Sequence, residues 1–215
     1  VTNPPSNPEL LDAMAAFFVE SGYDLKALAR LIVQSNTYAL DHDASDANLG
    51  DRRSYARFYP KRLTAEVLLD AVDTVTGFTT RFDGMPPGTR AVGLPDTGFA
   101  SYFLDVFGQP SSATACECER SQEANLAQSL HLLNSAEIQN KLSADSGRAA
   151  RLAIDQQRTD EAKIRELYSV ALSRPPSDHE VKATLTYLAG KEYRREAYED
   201  VIWSLINSKE FVFNH

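Results

Sequence analysis

Arg62-Leu63-Thr64-Ala65-Glu66-Val67-Leu68-Leu69-Asp70-Ala71-Val72-Asp73-Thr74-Val75-Thr76-Gly77 is the stretch on which the fold turns. Val67, Leu68, Ala71 and Val75 recur at three- and four-residue spacing, the signature of one apolar side of a helix from about Leu63 to Val75. Thr64 stands where an N-cap is needed, and Gly77 ends the run. Arg62, Glu66 and Asp70 follow one another at i, i+4 and i+8, so the pattern sets them on one helix face with Arg62 in ion-pair reach of Glu66.

The same helical texture continues on both sides. Upstream, Ser6 and Glu9 have capping-box spacing, and Leu10, Leu11, Met14, Phe17 and Phe18 make one broad apolar face. Gly22 follows, where a left-handed residue is required. Asp24 opens a second helix with Leu25, Leu28, Leu31 and Ile32, which completes a helical hairpin. Downstream, Leu126, Leu130, Leu133 and Ile138 indicate helix from about Glu123, with a break near Ser135. Residues 145–156 form another. Ile164, Leu167, Tyr168, Ala171 and Leu172 mark a helix over Thr159–Ser173 that stops at Pro175-Pro176. Ser177-x-x-Glu180 is a second capping box, ahead of Val181, Leu185 and Leu188. Val201, Ile202, Leu205 and Ile206 belong to a last helix running toward Phe211 and Phe213.

Residues 77–121 break this texture. They hold six of the ten glycines and four of the ten prolines, and a structureless stretch of that length is uncommon and often functional. Arg90–Leu94 and Ser101–Phe107 read there as candidate short strands. The expected fold is mainly α: a helical-hairpin bundle of about seven to eight helices with one long irregular segment. Residues 1–215 are expected to form a single helical domain. It subdivides at 1–76, 77–121 and 122–215.

The bulk properties narrow the function classes. The 215 residues carry a formal charge of −8 and are 43% apolar, values of a folded protein without the basic footprint that nucleic acid requires. No apolar stretch is long enough to span a bilayer. Val1-Thr2-Asn3-Pro4-Pro5-Ser6 lacks an initiator Met and leads straight into helix, so the chain is expected to be a piece of a longer polypeptide.

Several residue groups invite chemistry, each beside a plainer reading. Cys116-Glu117-Cys118-Glu119-Arg120 offers two thiols and two carboxylates to a soft metal, with His131 as a further ligand. C-x-C alone supplies only two ligands, so a pair of ordinary loop thiols is the favoured reading. Glu66 and Asp70 suit a carboxylate pair for acid–base work, or equally a structural ion-pair row. Gln128, His131 and Asn134 are spaced by three, near Arg120, and so point to a shared pocket or to a helix–helix contact. Asp41, Asp43, Asp46, Asn48 and Asp51 suggest calcium, but Gly is missing at the sixth position and Arg52 stands at the twelfth. An exposed acidic loop fits better. C-x-x-C-H, G-x-S-x-G, P-loop and dinucleotide motifs are all absent. Trp203 and Tyr198 read as helix packing and not as a sugar platform.

A family resemblance then emerges. Asn3-Pro4-Pro5-Ser6-x-Pro8-Glu9-Leu10-Leu11-Asp12 with Gly22-Tyr23-Asp24-Leu25-Lys26 resembles DUF1553, the C-terminal domain of unknown function that accompanies planctomycete cytochrome-like modules. Arg62-Leu63-x-Ala65-Glu66 with Asp70, Leu132-Leu133-Asn134, Leu172-x-Arg174-x-Pro176 and Leu205-Ile206-Asn207-Ser208-Lys209-Glu210-Phe211 continue the likeness in order. Two places depart from it. Asn7 stands where relatives often have His, and Glu123-Ala124-Asn125-Leu126-Ala127 replaces a Thr/Pro-containing run before Gln128. The resemblance implies an opening part of the domain upstream of Val1 and an exported parent protein. That parent would carry a second uncharacterised domain and often a c-type haem module, with no cofactor in this chain itself. The function expected is an auxiliary domain that docks on upstream domains or binds a protein partner. The alternatives are an enzyme domain, polysaccharide- or redox-related, sited beside residues 77–121 and using Glu66, Asp70, Glu119, Arg120 and His131, with Arg62, Gln128 and Asn134 in binding roles, and a metal module built on Cys116 and Cys118.

Overall fold

A computed structural model of the chain describes residues 4–51, 55–109 and 134–214. The chain divides into two compact units, one up to Pro60 and one from Lys61 to Asn214. Both are helical, with ten helices among the described residues and one two-stranded antiparallel sheet.

In the first unit, α1 (Pro8–Glu20) and α2 (Leu25–Val33) form the expected hairpin. The cap of α1 is Asn7 and not Ser6: its side chain accepts the Leu10 amide at 3.0 Å. Pro8 then occupies the first helical position, where its missing N–H costs nothing. Gly22 (φ +72°) and Tyr23 (φ +62°) turn the chain, and Asp24 accepts the Lys26 and Ala27 amides to start α2. Phe18 and Tyr23 meet edge to face at 5.4 Å. Met14, Phe17, Phe18, Ala27 and Leu28 are half-buried, yet neither helix has a buried residue. Hydrogen bonds tie residues 41–51 to residues 57–59. Phe58 N–H donates to the Asp41 carbonyl, Arg57 to that of His42, and the Tyr59 hydroxyl to that of Asp51.

The second unit is built around α3 (Ala65–Thr76). Thr64 is its N-cap by position, without a side-chain cap bond, and Gly77 (φ +69°) is its C-cap. The apolar stripe is shifted from the expected one: Leu68, Leu69, Val72 and Val75 are buried, whereas Val67 is 40% exposed. A short 3-10 turn over Ala91–Gly93 and α4 (Tyr102–Val106) pack on α3. These two elements correct the candidate strands. The Phe103, Leu104, Phe107 spacing is helical, and Ser101 caps it by accepting the Leu104 amide at 3.3 Å. Phe103 and Phe107 stack at 4.4 Å.

The chain then supplies α5 (Ala136–Leu142), α6 (Arg148–Ile154), α7 (Asp160–Leu172), α8 (Asp178–Ala189), α9 (Arg194–Ile206) and α10 (Lys209–Val212). Ser135 caps α5, at the place where the helical pattern breaks. The capping box of Ser177 and Glu180 is formed in both directions. α9 buries Ala197, Tyr198, Val201, Ile202, Leu205 and Ile206 against α3, α5, α6, α7 and α8. β1 (Lys61–Arg62) pairs antiparallel with β2 (Phe213–Asn214), so the residues before α3 are fastened to those after α10.

Gly77 sits where α3 meets α6. A Cβ there would lie 2.6 Å from Arg151 Nη2 and 3.2 Å from the Arg148 backbone nitrogen, and its φ disfavours any side chain. Gly77→Ala is expected to lower stability by about 2 kcal/mol, read as a lower urea midpoint at unchanged slope. A neutral substitution would show that α3 does not end as described.

Candidate functional site

Three sites that pair a basic side chain with carboxylates or carbonyls organise the second unit. The first surrounds the start of α3. Asp70 is 5% exposed; its Oδ1 accepts the Ala91 amide at 2.7 Å and its Oδ2 the Val92 amide at 3.2 Å, with Arg90 Nε 3.3 Å away. A carboxylate inside an apolar face needs such donors, and here they define the 3-10 turn. Arg62 lies on β1 and not on the α3 face. It donates to the Phe107 carbonyl at 3.0 Å and covers the Phe107 ring at 5.7 Å; burial lowers its pKa. It thus holds the C-terminal end of α4. Between these two anchors, Glu66 (8% exposed) faces a cleft of about 290 Å³, lined with Thr64, Val92, Leu94, Asp96, Thr97 and Gln109. The sequence row Arg62, Glu66, Asp70 therefore separates into two framework groups and one cleft group.

The second site is a fork. The Arg174 guanidinium donates to both carboxylate oxygens of Glu180 (3.0 and 2.8 Å) and of Glu210 (2.5 and 2.8 Å), and lies over Tyr168 at 5.8 Å. Bidentate pairing of this kind is geometrically demanding and specific. The two carboxylates raise the Arg174 pKa, and Arg174 holds that of Glu180 down to about 2. The Leu172-x-Arg174-x-Pro176 and Asn207–Phe211 motifs meet here.

The third site has no counterpart in the sequence reading. Lys141 is 2% exposed, and its ammonium donates to Asp73 Oδ1 and Thr80 Oγ1, with Glu137 at 3.8 Å and the Phe78 ring at 5.6 Å. Burial raises the pKa of Glu137, opposed by Lys141. Asp73 lies one turn beyond Asp70, but nothing local marks Lys141, 68 residues away, as its partner. Arg148 is likewise a tertiary discovery: it donates to the Val75 and Thr74 carbonyls and to Glu166, joining α3, α6 and α7.

Of the other residues singled out, Asn134 is exposed just ahead of the α5 cap. Cys116, Cys118, Glu119, Arg120, Gln128 and His131 lie outside the described residues. Asp41 has its pKa lowered chiefly by the His42 amide it accepts, so in the acidic loop it serves a local turn. Among the described residues no group of three or more His, Cys, Asp or Glu is placed to hold a metal, and no helix is long and apolar enough to cross a membrane. Tyr198 is fully buried, donating to Asp160 at 2.9 Å, and Trp203 packs partly buried against the core.

A family model described as a protein of unknown function, DUF1553, matches residues 1–188, and the chain belongs to that family. No curated protein and no solved structure matches the chain.

Two predictions test these sites. Asp70→Ala leaves two amides without their acceptor, so it is expected to cost about 2–3 kcal/mol and to speed hydrogen exchange at Ala91 and Val92 before elsewhere. Equal protection at those amides would refute the anchor. For Glu180, the folded pKa is depressed, so its contribution is present above the unfolded value and is lost as pH falls from about 4.5 toward 2. Melting temperature should drop over that window in the native chain, and less steeply in Arg174→Met, which should itself be about 2 kcal/mol less stable. Parallel pH profiles for the two proteins would reject the fork as the cause.

Proposed function

We propose that this chain is an auxiliary interaction domain of a larger exported protein of the planctomycete type, meeting its partner through the α1–α2 hairpin. The partner is drawn from upstream domains of the same polypeptide or from another chain, and any c-type haem would reside elsewhere in the parent protein. The observation that carries this reading is the hairpin surface. Leu10, Leu11, Val19, Leu25 and Val33 are each at least half exposed, and Leu31 and Ile32 are 44% and 38% exposed. A pair of helices with no buried residue has little of the packing that normally supplies helix stability in proteins, and exposed large apolar side chains gathered on one hairpin favour an interaction role.

The enzymic alternative draws its support from the cleft over Glu66. It is weakened by Asp70, the natural second carboxylate, which is committed to the Ala91 and Val92 amides. Cys116 and Cys118 lie outside the described residues, so the metal reading rests on the sequence alone.

The test is Leu11→Glu combined with Leu31→Glu. The native chain is expected to bind a solvatochromic apolar dye and to self-associate, and the doubly substituted chain to do neither at equal helicity. Extending the native chain with the upstream part of its polypeptide should suppress dye binding if that part is the partner. A native chain that neither binds dye nor associates would overturn the interaction reading.

A further inference from the structure

Where α5 meets α3, the Lys141 ammonium stands between two carboxylates, Asp73 of α3 and Glu137 one turn earlier on α5. The side chains of Lys141, Asp73 and Glu137 are 3%, 13% and 32% exposed, so water screens their charges poorly. The two acids are not equivalent. Asp73 accepts the Thr80 amide at 2.6 Å and the Thr80 hydroxyl at 3.0 Å, and it also accepts from Lys141. The ammonium closes this cluster by donating to Thr80 Oγ1. Glu137 Oε1 stands 3.8 Å from the same ammonium, beyond hydrogen-bond length. Asp73 therefore neutralises the lysine, and ionised Glu137 leaves these three groups with negative charge in excess. The Phe78 ring beside Lys141 carries no charge. α9 also packs on α5, but its Arg195 and Glu199 pair with each other, and Arg195 reaches Asp145 and the Ser143 carbonyl at the opposite end of α5.

We propose that the α3–α5 joint is an acid-tightened latch: a proton taken up by Glu137 removes the excess charge and holds α5 more firmly on α3 through Lys141 and Asp73. The plain alternative makes Glu137 an ordinary helix acid, favoured in the first turn of α5 and paired with Lys141 at i+4. Those two effects would lower its pKa. It is raised instead, chiefly by burial and further by Asp73, against the pull of Lys141. The folded value thus lies above the ordinary one of 4.5. The stabilising contribution is fully present below about 4.5 and is lost as pH rises through the folded value. The Arg174 fork runs the other way and lets go at lower pH, because Glu180 is held down to about 2.

The experiment is urea unfolding of the native chain and of Glu137→Gln at a series of pH values from about 4 to about 8. Glutamine keeps the size of the protonated acid and carries no charge. The variant is expected to match the native chain at the acid end. Above the folded pKa of Glu137 its urea midpoint should move higher than the native one at unchanged slope. Protection of the Lys141 and Leu142 amides against hydrogen exchange, corrected for intrinsic rate, should rise in the native chain as pH falls and change less in the variant. A carbon-13 titration of the Glu137 carboxyl should give a value above its ordinary one. A variant less stable than the native chain at neutral pH would overturn the latch in favour of the ordinary ion pair. A midpoint difference that stays constant with pH would overturn it too, as would a Glu137 carboxyl titrating at or below its ordinary value.

Discussion

The Asp70 carboxylate accepts two backbone amides from inside a buried helix, and the arrangement of residues 61–109 depends on it. α3 is surrounded by other elements of the second unit, so a charge on its buried face must find donors or be expelled. The donors come from a loop with no periodicity of its own. That exchange satisfies the carboxylate and fixes the loop at once. Arg62 repeats the device from the strand before α3, holding the end of α4 through the Phe107 carbonyl. The Arg62-Leu63-x-Ala65-Glu66…Asp70 row thus acts largely as loop anchorage, with Glu66 lining the cleft.

Arginine serves the C-terminal helices in a similar way. Arg174 gathers Glu180 at the start of α8 and Glu210 on α10, so one guanidinium sets the direction of two short connections. The planar fork suits this task because each carboxylate engages two nitrogens, which fixes angle as well as distance. The β1–β2 pair then returns the end of the chain to Lys61 and Arg62, which places both ends of the second unit beside α3. The hairpin contrasts with this: among the described residues Glu9, Asp12, Glu20, Lys26 and Arg30 have no ion-pair partner, and Leu10, Leu11 and Leu25 stay exposed.

Much of the helical fold was legible in the sequence because its signals are local. The Ser177 and Glu180 box, the Asp24 cap and the left-handed glycines at 22 and 77 all act within one or two turns. Short elements were not legible in the same way. Residues 90–94 and 101–107 have strand-like composition, but Asp70 curls the first and the Ser101 cap with the Phe103–Phe107 stack coils the second. For the candidate site, the residue types were visible and their division of labour was not. Glu66 and Asp70 look equivalent on a helix face until the loop that donates the Ala91 and Val92 amides to Asp70 is in place.

The sequence by itself determined the helical class and most helix ends, since each follows from residues within a few positions of one another, and it determined the family through motifs spread along the chain. Tertiary structure alone decided the pairing of Lys141 with Asp73 and Thr80 and the reach of Arg148 to the end of α3. It also decided the commitment of Asp70 to the Ala91 turn. These contacts join residues tens of positions apart, and a buried charge takes its partner from whatever folding brings within hydrogen-bond distance, which no local pattern encodes.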